Sequence, residues 1–167
     1  MRSELVDRVT NALRARGETV SFAESCTGGL LSSMVTSVAG VSDIFMGSVV
    51  AYSNDVKVSI LGVPSRLLVS SGAVSAPCAR AMARGGRTVF GTTWSVAITG
   101  IAGPGGGSVA KPVGTVFVGI AGPGVDRAVA MHFSGGRSVI QKASADSALQ
   151  ILLGELGFDD EKSELTV

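Results

Sequence analysis

Apolar residues recur at helical spacing early in the chain, at Leu5, Val9, Ala12 and Leu13, until Gly17 stops the pattern; this predicts a helix over about 3–16. A short strand over 19–23 follows, then the turn Glu24-Ser25-Cys26-Thr27-Gly28-Gly29. A second helix comes next, with Leu30, Leu31, Met34, Val35 and Val38 on its apolar face. The stretch 45–53 reads as a strand. Asn54 is the expected N-cap of a short helix through 61 that puts Lys57 in its first turn, and Ser75 opens another helix to about 89. Segments 94–99 and 114–121 are apolar on both faces, as strands covered on both sides are, and a Gly-Pro-rich loop over 100–112 joins them. A strand over 127–133 and a helix over about 138–156 complete the pattern, with an acidic tail over 157–167 expected to fray.

Strands alternating with helices predict an α/β fold, a three-layer α/β/α sandwich with a mixed, mostly parallel sheet. The short connection Gly122-Pro123-Gly124-Val125-Asp126 between two strands predicts the hairpin that makes it mixed. No repeat, low-complexity run or linker divides the chain, so residues 1–167 are expected to form one domain with its core over about 3–156. At 167 residues, 46% of them hydrophobic, such a domain can bury a sizeable core.

Composition narrows the function. Lys plus Arg number 14 against 13 Asp plus Glu, and no basic stripe with interleaved aromatics is present, so no nucleic-acid partner is expected. Cys26 and Cys78 lie far apart without metal-ligand spacing, which argues against a disulfide framework or a zinc site. The N-terminal segment is charged throughout and no later run gives ~18 consecutive apolar residues, so a soluble, cytoplasmic protein without a membrane partner is expected. The 23 glycines exceed the average of about 7% but gather at turns, which favours tight loops and close backbone approaches over disorder.

Ser25 stands where a strand ends and a helix begins, a position that suits an acyl-transfer nucleophile and equally an ordinary helix cap. Gly28 and Gly29 would let the backbone approach a ligand, and the N–H groups of the next turn could hold an oxyanion or a phosphate. A serine needs a base. Lys57 can serve only when neutral, which at a reference pKa of ~10.4 is well below one per cent of the population at pH 7. Burial, helped by the positive end of a helix, would have to disfavour its ammonium; otherwise it is a solvated surface lysine. Tyr52, the only tyrosine, either relays a proton or packs. The loop that begins Thr99-Gly100-Ile101-Ala102-Gly103 either lines a substrate or simply connects; it matches neither a P-loop nor a dinucleotide fingerprint. His132, the only histidine, falls on the strand face opposite Val129, Met131 and Phe133 and reads as structural. Arg137 could meet an anion through its forked donors or lie on the surface. Cys26 adjoins Ser25 but has no imidazole placed to form a thiolate.

Five segments taken together resemble the CinA C-terminal family, in that family's order and over about 5–156. They are Ala23-Glu24-Ser25-Cys26-Thr27-Gly28-Gly29, Val49-Val50-Ala51-Tyr52-Ser53-Asn54 with Lys57, Gly72-Ala73-Val74-Ser75, Thr99-Gly100-Ile101-Ala102-Gly103-Pro104 and Lys111-Pro112-Val113-Gly114-Thr115-Val116. The resemblance implies deamidation of nicotinamide mononucleotide to nicotinic acid mononucleotide and ammonia, without metal or cofactor, in pyridine-nucleotide recycling. It makes Ser25 the nucleophile, Lys57 the general base and Tyr52 a third catalytic member that orients or relays the proton. Thr27, Gly28, Gly29, Thr99, Gly100, Ala102 and Gly103 then line the substrate site, and Arg137 contacts its phosphate or ribose. The family also implies a homo-oligomer. With no domain before the first helix, the chain resembles the stand-alone amidase form, and it departs from the family in carrying Gly136 where an acidic residue often precedes the arginine. A non-catalytic nucleotide-binding module is the competing expectation, because a fold alone does not supply an activity.

Overall fold

The structure, a computed structural model, describes residues 4–158. The expected helix start at residue 3 and the tail from 159 onward lie outside them. The elements run α1 (Glu4–Arg16), β1 (Val20–Glu24), α2 (Leu30–Thr36), a 3-10 turn (Val41–Asp43), β2 (Phe45–Val50), α3 (Asn54–Ser59), α4 (Ser65–Ser70), α5 (Ala76–Phe90), β3 (Trp94–Gly100), β4 (Thr115–Gly122), β5 (Val125–His132) and α6 (Arg137–Glu155). The sheet order is β2-β1-β3-β4-β5. β1 pairs in parallel with β2 and β3, while β4 is antiparallel to both β3 and β5, so β4 alone runs against the other strands. This is the mixed, mostly parallel α/β/α sandwich expected, and Pro123-Gly124 form the turn of the expected hairpin.

Strand alternation gives the sheet two unlike faces. Val20 and Phe22, Val96 and Ile98, and Val116, Val118 and Ile120 point toward α1, α2 and α6, meeting Val9, Leu13, Leu31, Val35, Leu149 and Leu152. Apart from Phe117, the intervening positions toward α5 are mostly small: Ala23, Ala97, Gly119 and Ala121, with Ser21 and Ser95 also fully buried. Small residues let α5 lie close to the sheet. A Cβ at Gly119 would stand 2.1 Å from the Ala79 carbonyl oxygen, so the helix backbone occupies the space a side chain would take.

Several ends differ from the sequence expectation. β2 stops at Val50, since its last register partner in β1 is Glu24; the following residues turn instead of continuing a buried strand. Ser53, not Asn54, caps α3: its hydroxyl accepts from the Val56 N–H, and the helix ends at Ser59. The helix α4 was not expected. It has no buried residue, so it leaves no amphipathic signal to read.

Candidate active site

The parallel strands β2, β1 and β3 all deliver their C-terminal ends to one rim of the sheet, the usual location of ligand sites in open α/β sheets. Ala51 and Tyr52 follow β2, Ser25 follows β1, and the glycine-rich loop over 101–114 leaves β3. A cleft of about 290 Å³ opens there, lined by Ser25, Cys26, Tyr52, Lys57, the 99–103 segment and Arg137, together with Asn54, Ala73 and Val74.

Lys57 lies 32 residues from Ser25 in sequence, yet its Nζ stands 3.1 Å from Ser25 Oγ. α3 turns the side chain inward and leaves it 1% exposed, while Ser25 is 9% exposed. The amine also meets two carbonyl oxygens, Ala51 O at 2.8 Å and Tyr52 O at 3.4 Å. An ammonium can donate to all three oxygens. A neutral amine can donate to the two carbonyls, which accept only, and take the Ser25 hydroxyl proton on its lone pair. Both protonation states are therefore satisfied in the same geometry, so proton exchange between Ser25 and Lys57 forfeits no hydrogen bond. Burial holds the Lys57 pKa below the ordinary lysine range, and no carboxylate pairs with it among the described residues.

The turn that carries Ser25 is fixed from behind by Glu24, which is fully buried. Its carboxylate accepts from the Thr27 hydroxyl, the Gly29 and Leu31 N–H groups, and the Ser32 N–H and hydroxyl. The Gly29, Leu31 and Ser32 N–H groups at the start of α2 are thus taken by the protein's own carboxylate. Thr27, Gly28 and Gly29, expected at the substrate, are not among the residues that line the cleft. Gly28 and Gly29 serve the turn itself, both at positive φ, 59° and 98°. The signal for Glu24 was local: its donors, on Thr27, Gly29, Leu31 and Ser32, all lie within eight residues of it, and an acidic residue just before a helix start is the pattern that could have found it.

On the opposite wall, Thr99, Gly100, Ala102 and Gly103 line the cleft. The Thr99 hydroxyl donates to Ala73 O at 2.8 Å, so it braces the segment before α5. There Ser75 caps the helix by accepting from the Cys78 N–H and donates to Gly72 O. Lys111 Nζ ties the far end of the loop to Ser71 O at 2.8 Å.

Arg137 opens α6 at the cleft mouth, donating from Nη1 to Gly103 O and from Nη2 to the Tyr52 hydroxyl, each at 2.9 Å. These contacts hold the guanidinium although Gly136 supplies no acid. The Tyr52 side chain is 60% exposed, and only its main-chain oxygen reaches Lys57. Its phenol makes no hydrogen bond to Ser25 or Lys57. Asn54, expected only as a cap, lines the cleft from the first turn of α3.

The remaining candidates fall away from the chemistry. His132 is exposed at the end of β5 and does not line the cleft. Cys26 does line it, but burial pushes its thiol up to about 11, which opposes a thiolate at neutral pH. Among the described residues no group of three or more His, Cys, Asp and Glu could hold a metal ion, and no helix is long and apolar enough to cross a membrane.

Comparison with known proteins places this arrangement among relatives. The family model described as the CinA C-terminal domain matches residues 2–156. A CinA-like protein of Anaeromyxobacter dehalogenans is 50% identical over 151 residues, 90% of this chain and 37% of its own length. One of Gloeobacter violaceus is 47% identical over 142 residues, 84% of this chain and 33% of its own. The chain thus spans about a third of the length of these curated relatives. Among solved structures, a competence-damaged protein (CinA) superfamily protein from Klebsiella pneumoniae superposes with a TM-score of 0.89 at 34% identity, covering 92% of this chain and 96% of that one. The competence/damage inducible protein CihA from Agrobacterium tumefaciens gives 0.88 at 39% identity, covering 92% and 94%.

Proposed function

This chain belongs to the CinA C-terminal domain family, and on that premise we propose that it is a nicotinamide mononucleotide deamidase acting in cytoplasmic pyridine-nucleotide recycling. The observation that carries the reading is the buried contact of Lys57 Nζ with Ser25 Oγ, 3.1 Å long, at the floor of a cleft with a guanidinium at its mouth. A hydroxyl hydrogen-bonded to an amine whose charged form burial disfavours is a nucleophile with its base in place.

In the proposed reaction Ser25 Oγ attacks the carboxamide carbon while Lys57 takes the hydroxyl proton. The tetrahedral intermediate collapses by breaking the C–N bond, and Lys57 returns the proton to the departing nitrogen, releasing ammonia. Water then attacks the resulting ester with Lys57 again accepting a proton. Ser25 recovers that proton as nicotinic acid mononucleotide leaves. No oxidant, reductant or metal enters this balance.

Ammonia release from nicotinamide mononucleotide tests the reading, with nicotinamide and glutamine as controls. Deleting the nucleophile by Ser25→Ala should leave nucleotide binding in place and cost several decades of turnover, at ~1.4 kcal/mol per decade. Activity within about 10-fold of the parent would remove Ser25 from that role. Nucleotide binding without ammonia release by the parent would leave a binding module instead.

A further inference from the structure

The backbone around Ser25 is pinned group by group. The Ser25 N–H donates to Ile98 O at 2.9 Å, which ties it to β3, and the Ser25 carbonyl accepts from the Gly28 N–H at 3.1 Å. Two residues on, the Thr27 carbonyl accepts from the Leu30 N–H at 3.1 Å as α2 begins. The carbonyl between them belongs to Cys26, and no backbone N–H among the described residues donates to it. Its partner comes from 115 residues away: Gln141, on α6, reaches it with Nε2 at 2.8 Å. A carbonyl oxygen only accepts, so the amide nitrogen of Gln141 must be the atom that faces it.

Gln141 has a firm base from which to hold that carbonyl. Ile140 beside it and Ser144 one turn on are fully buried, so α6 is seated against the core at this point. Cys26 lines the cleft next to Ser25, whereas Gln141 does not line it. Lys57 comes to Ser25 from a different element, α3, and has its own anchors in Ala51 O and Tyr52 O. The 3.1 Å contact of Ser25 Oγ with Lys57 Nζ therefore joins two separately held segments, and a shift of about 1 Å in either can cost about 100-fold in rate. Glu24 secures the α2 side of the turn, and Gln141 secures the side toward α6. We infer that Gln141 is a positioning residue for the nucleophile: by holding the Cys26 carbonyl it keeps the Ser25 hydroxyl at Lys57 without touching the substrate. The inference rests on the proposed Ser25–Lys57 chemistry and not on which nucleotide is cleaved.

The test removes the donor and then restores it. Gln141→Met keeps the length and helix preference of the side chain and loses the N–H, while Gln141→Lys brings back a donor of similar reach. Gln141→Met should lower kcat for ammonia release from nicotinamide mononucleotide about 10-fold and leave KM within about 2-fold, and Gln141→Lys should return kcat to within about 3-fold of the parent. A contact that served stability alone would lower the urea midpoint and leave kcat of the folded protein intact. Labelling by an alkyl fluorophosphonate, followed by intact mass, reads the nucleophile with no nucleotide present, and Ser25→Ala is the unlabelled control. In that reaction Ser25 Oγ bonds to phosphorus, the P–F bond breaks to release fluoride, and Lys57 takes the hydroxyl proton. The methionine variant should label about 10-fold more slowly than the parent, and the lysine variant within about 3-fold of it.

Equal loss of kcat in the two variants, or a Gln141→Met kcat within about 2-fold of the parent, overturns the inference. If the parent labels at Ser25 and the methionine variant slows that labelling, yet the parent releases no ammonia from the nucleotide, the deamidase reading falls and the positioning role stands. If the parent releases ammonia and neither its turnover nor its labelling responds to Gln141, the positioning role falls and the deamidase reading stands. A parent that neither labels nor releases ammonia overturns both.

Discussion

Arginine in place of Lys57 separates two roles that share a positive charge. If the residue only attracted an anion, Lys57→Arg would keep much of that attraction and the loss would fall on KM. A base must become neutral, and arginine does not at working pH, so Lys57→Arg and Lys57→Ala are expected to lose kcat alike while nucleotide binding survives. Steady-state kinetics on both variants, with a folding check, decide this; near-parent kcat in the arginine variant would return Lys57 to an electrostatic role. The pH dependence has a defined sign. Because burial lowers the Lys57 pKa, kcat/KM should rise with pH along a limb whose midpoint lies below the ordinary lysine range, and fall as protonation proceeds beneath it. Stability moves the same way: between the depressed folded pKa and the ordinary unfolded one the unfolded chain binds more protons, so unfolding free energy increases with pH. Urea denaturation of Lys57→Met across that window should show this slope removed.

Among the elements, the junction of β1 with α2 depends on one carboxylate. Glu24→Gln keeps the shape of the side chain but turns one acceptor into an amide donor facing donors, at a cost of about 1–3 kcal/mol. The urea midpoint should fall accordingly, and an unchanged midpoint would show that this carboxylate does not hold the turn. The elements were unevenly legible in the sequence. Ser75 declared α5 because a hydroxyl immediately before an amphipathic run caps it, and the hydroxyl does accept from the Cys78 N–H. α4 stayed hidden, since a six-residue helix with only Leu67 and Leu68 half-buried is too short to show a hydrophobic period. The choice of Ser53 over Asn54 as the cap of α3 turned on where β2 stopped, and that depended on the length of its neighbour in the sheet.

At the scale of the whole molecule, the two helical layers stand against the sheet through different chemistry. The α1, α2 and α6 side is filled mainly by valine, leucine, isoleucine and phenylalanine, while on the α5 side the sheet presents mostly alanine, glycine and serine, with Leu61, Val63 and Met82 completing that core. Close approach on the second side helps place the α3 and 71–75 segments around the cleft. Gly119→Ala should therefore destabilise the protein by about 1–3 kcal/mol, because the new Cβ meets helix backbone at 2.1 Å and the layers must separate. Gly105→Ala, with open space at the same atom and an ordinary φ, should leave stability nearly unchanged. Urea midpoints for the pair check this, and equal midpoints would mean that the layer spacing yields without cost.

What the sequence determined by itself is what a local pattern can carry. Periodicity set the order of the strands and of every helix but α4, Pro123-Gly124 set the hairpin, and the strand-to-turn position of Ser25 marked it as a candidate nucleophile. Tertiary structure decided the partners. It brought Lys57 to Ser25 and joined Tyr52 to Arg137 across 85 residues. The physical reason is that periodicity records which side of an element is buried, whereas a hydrogen bond also requires two chain segments to meet within about 3 Å. That distance follows from sheet register, strand length and layer spacing, which come into being only when the elements pack.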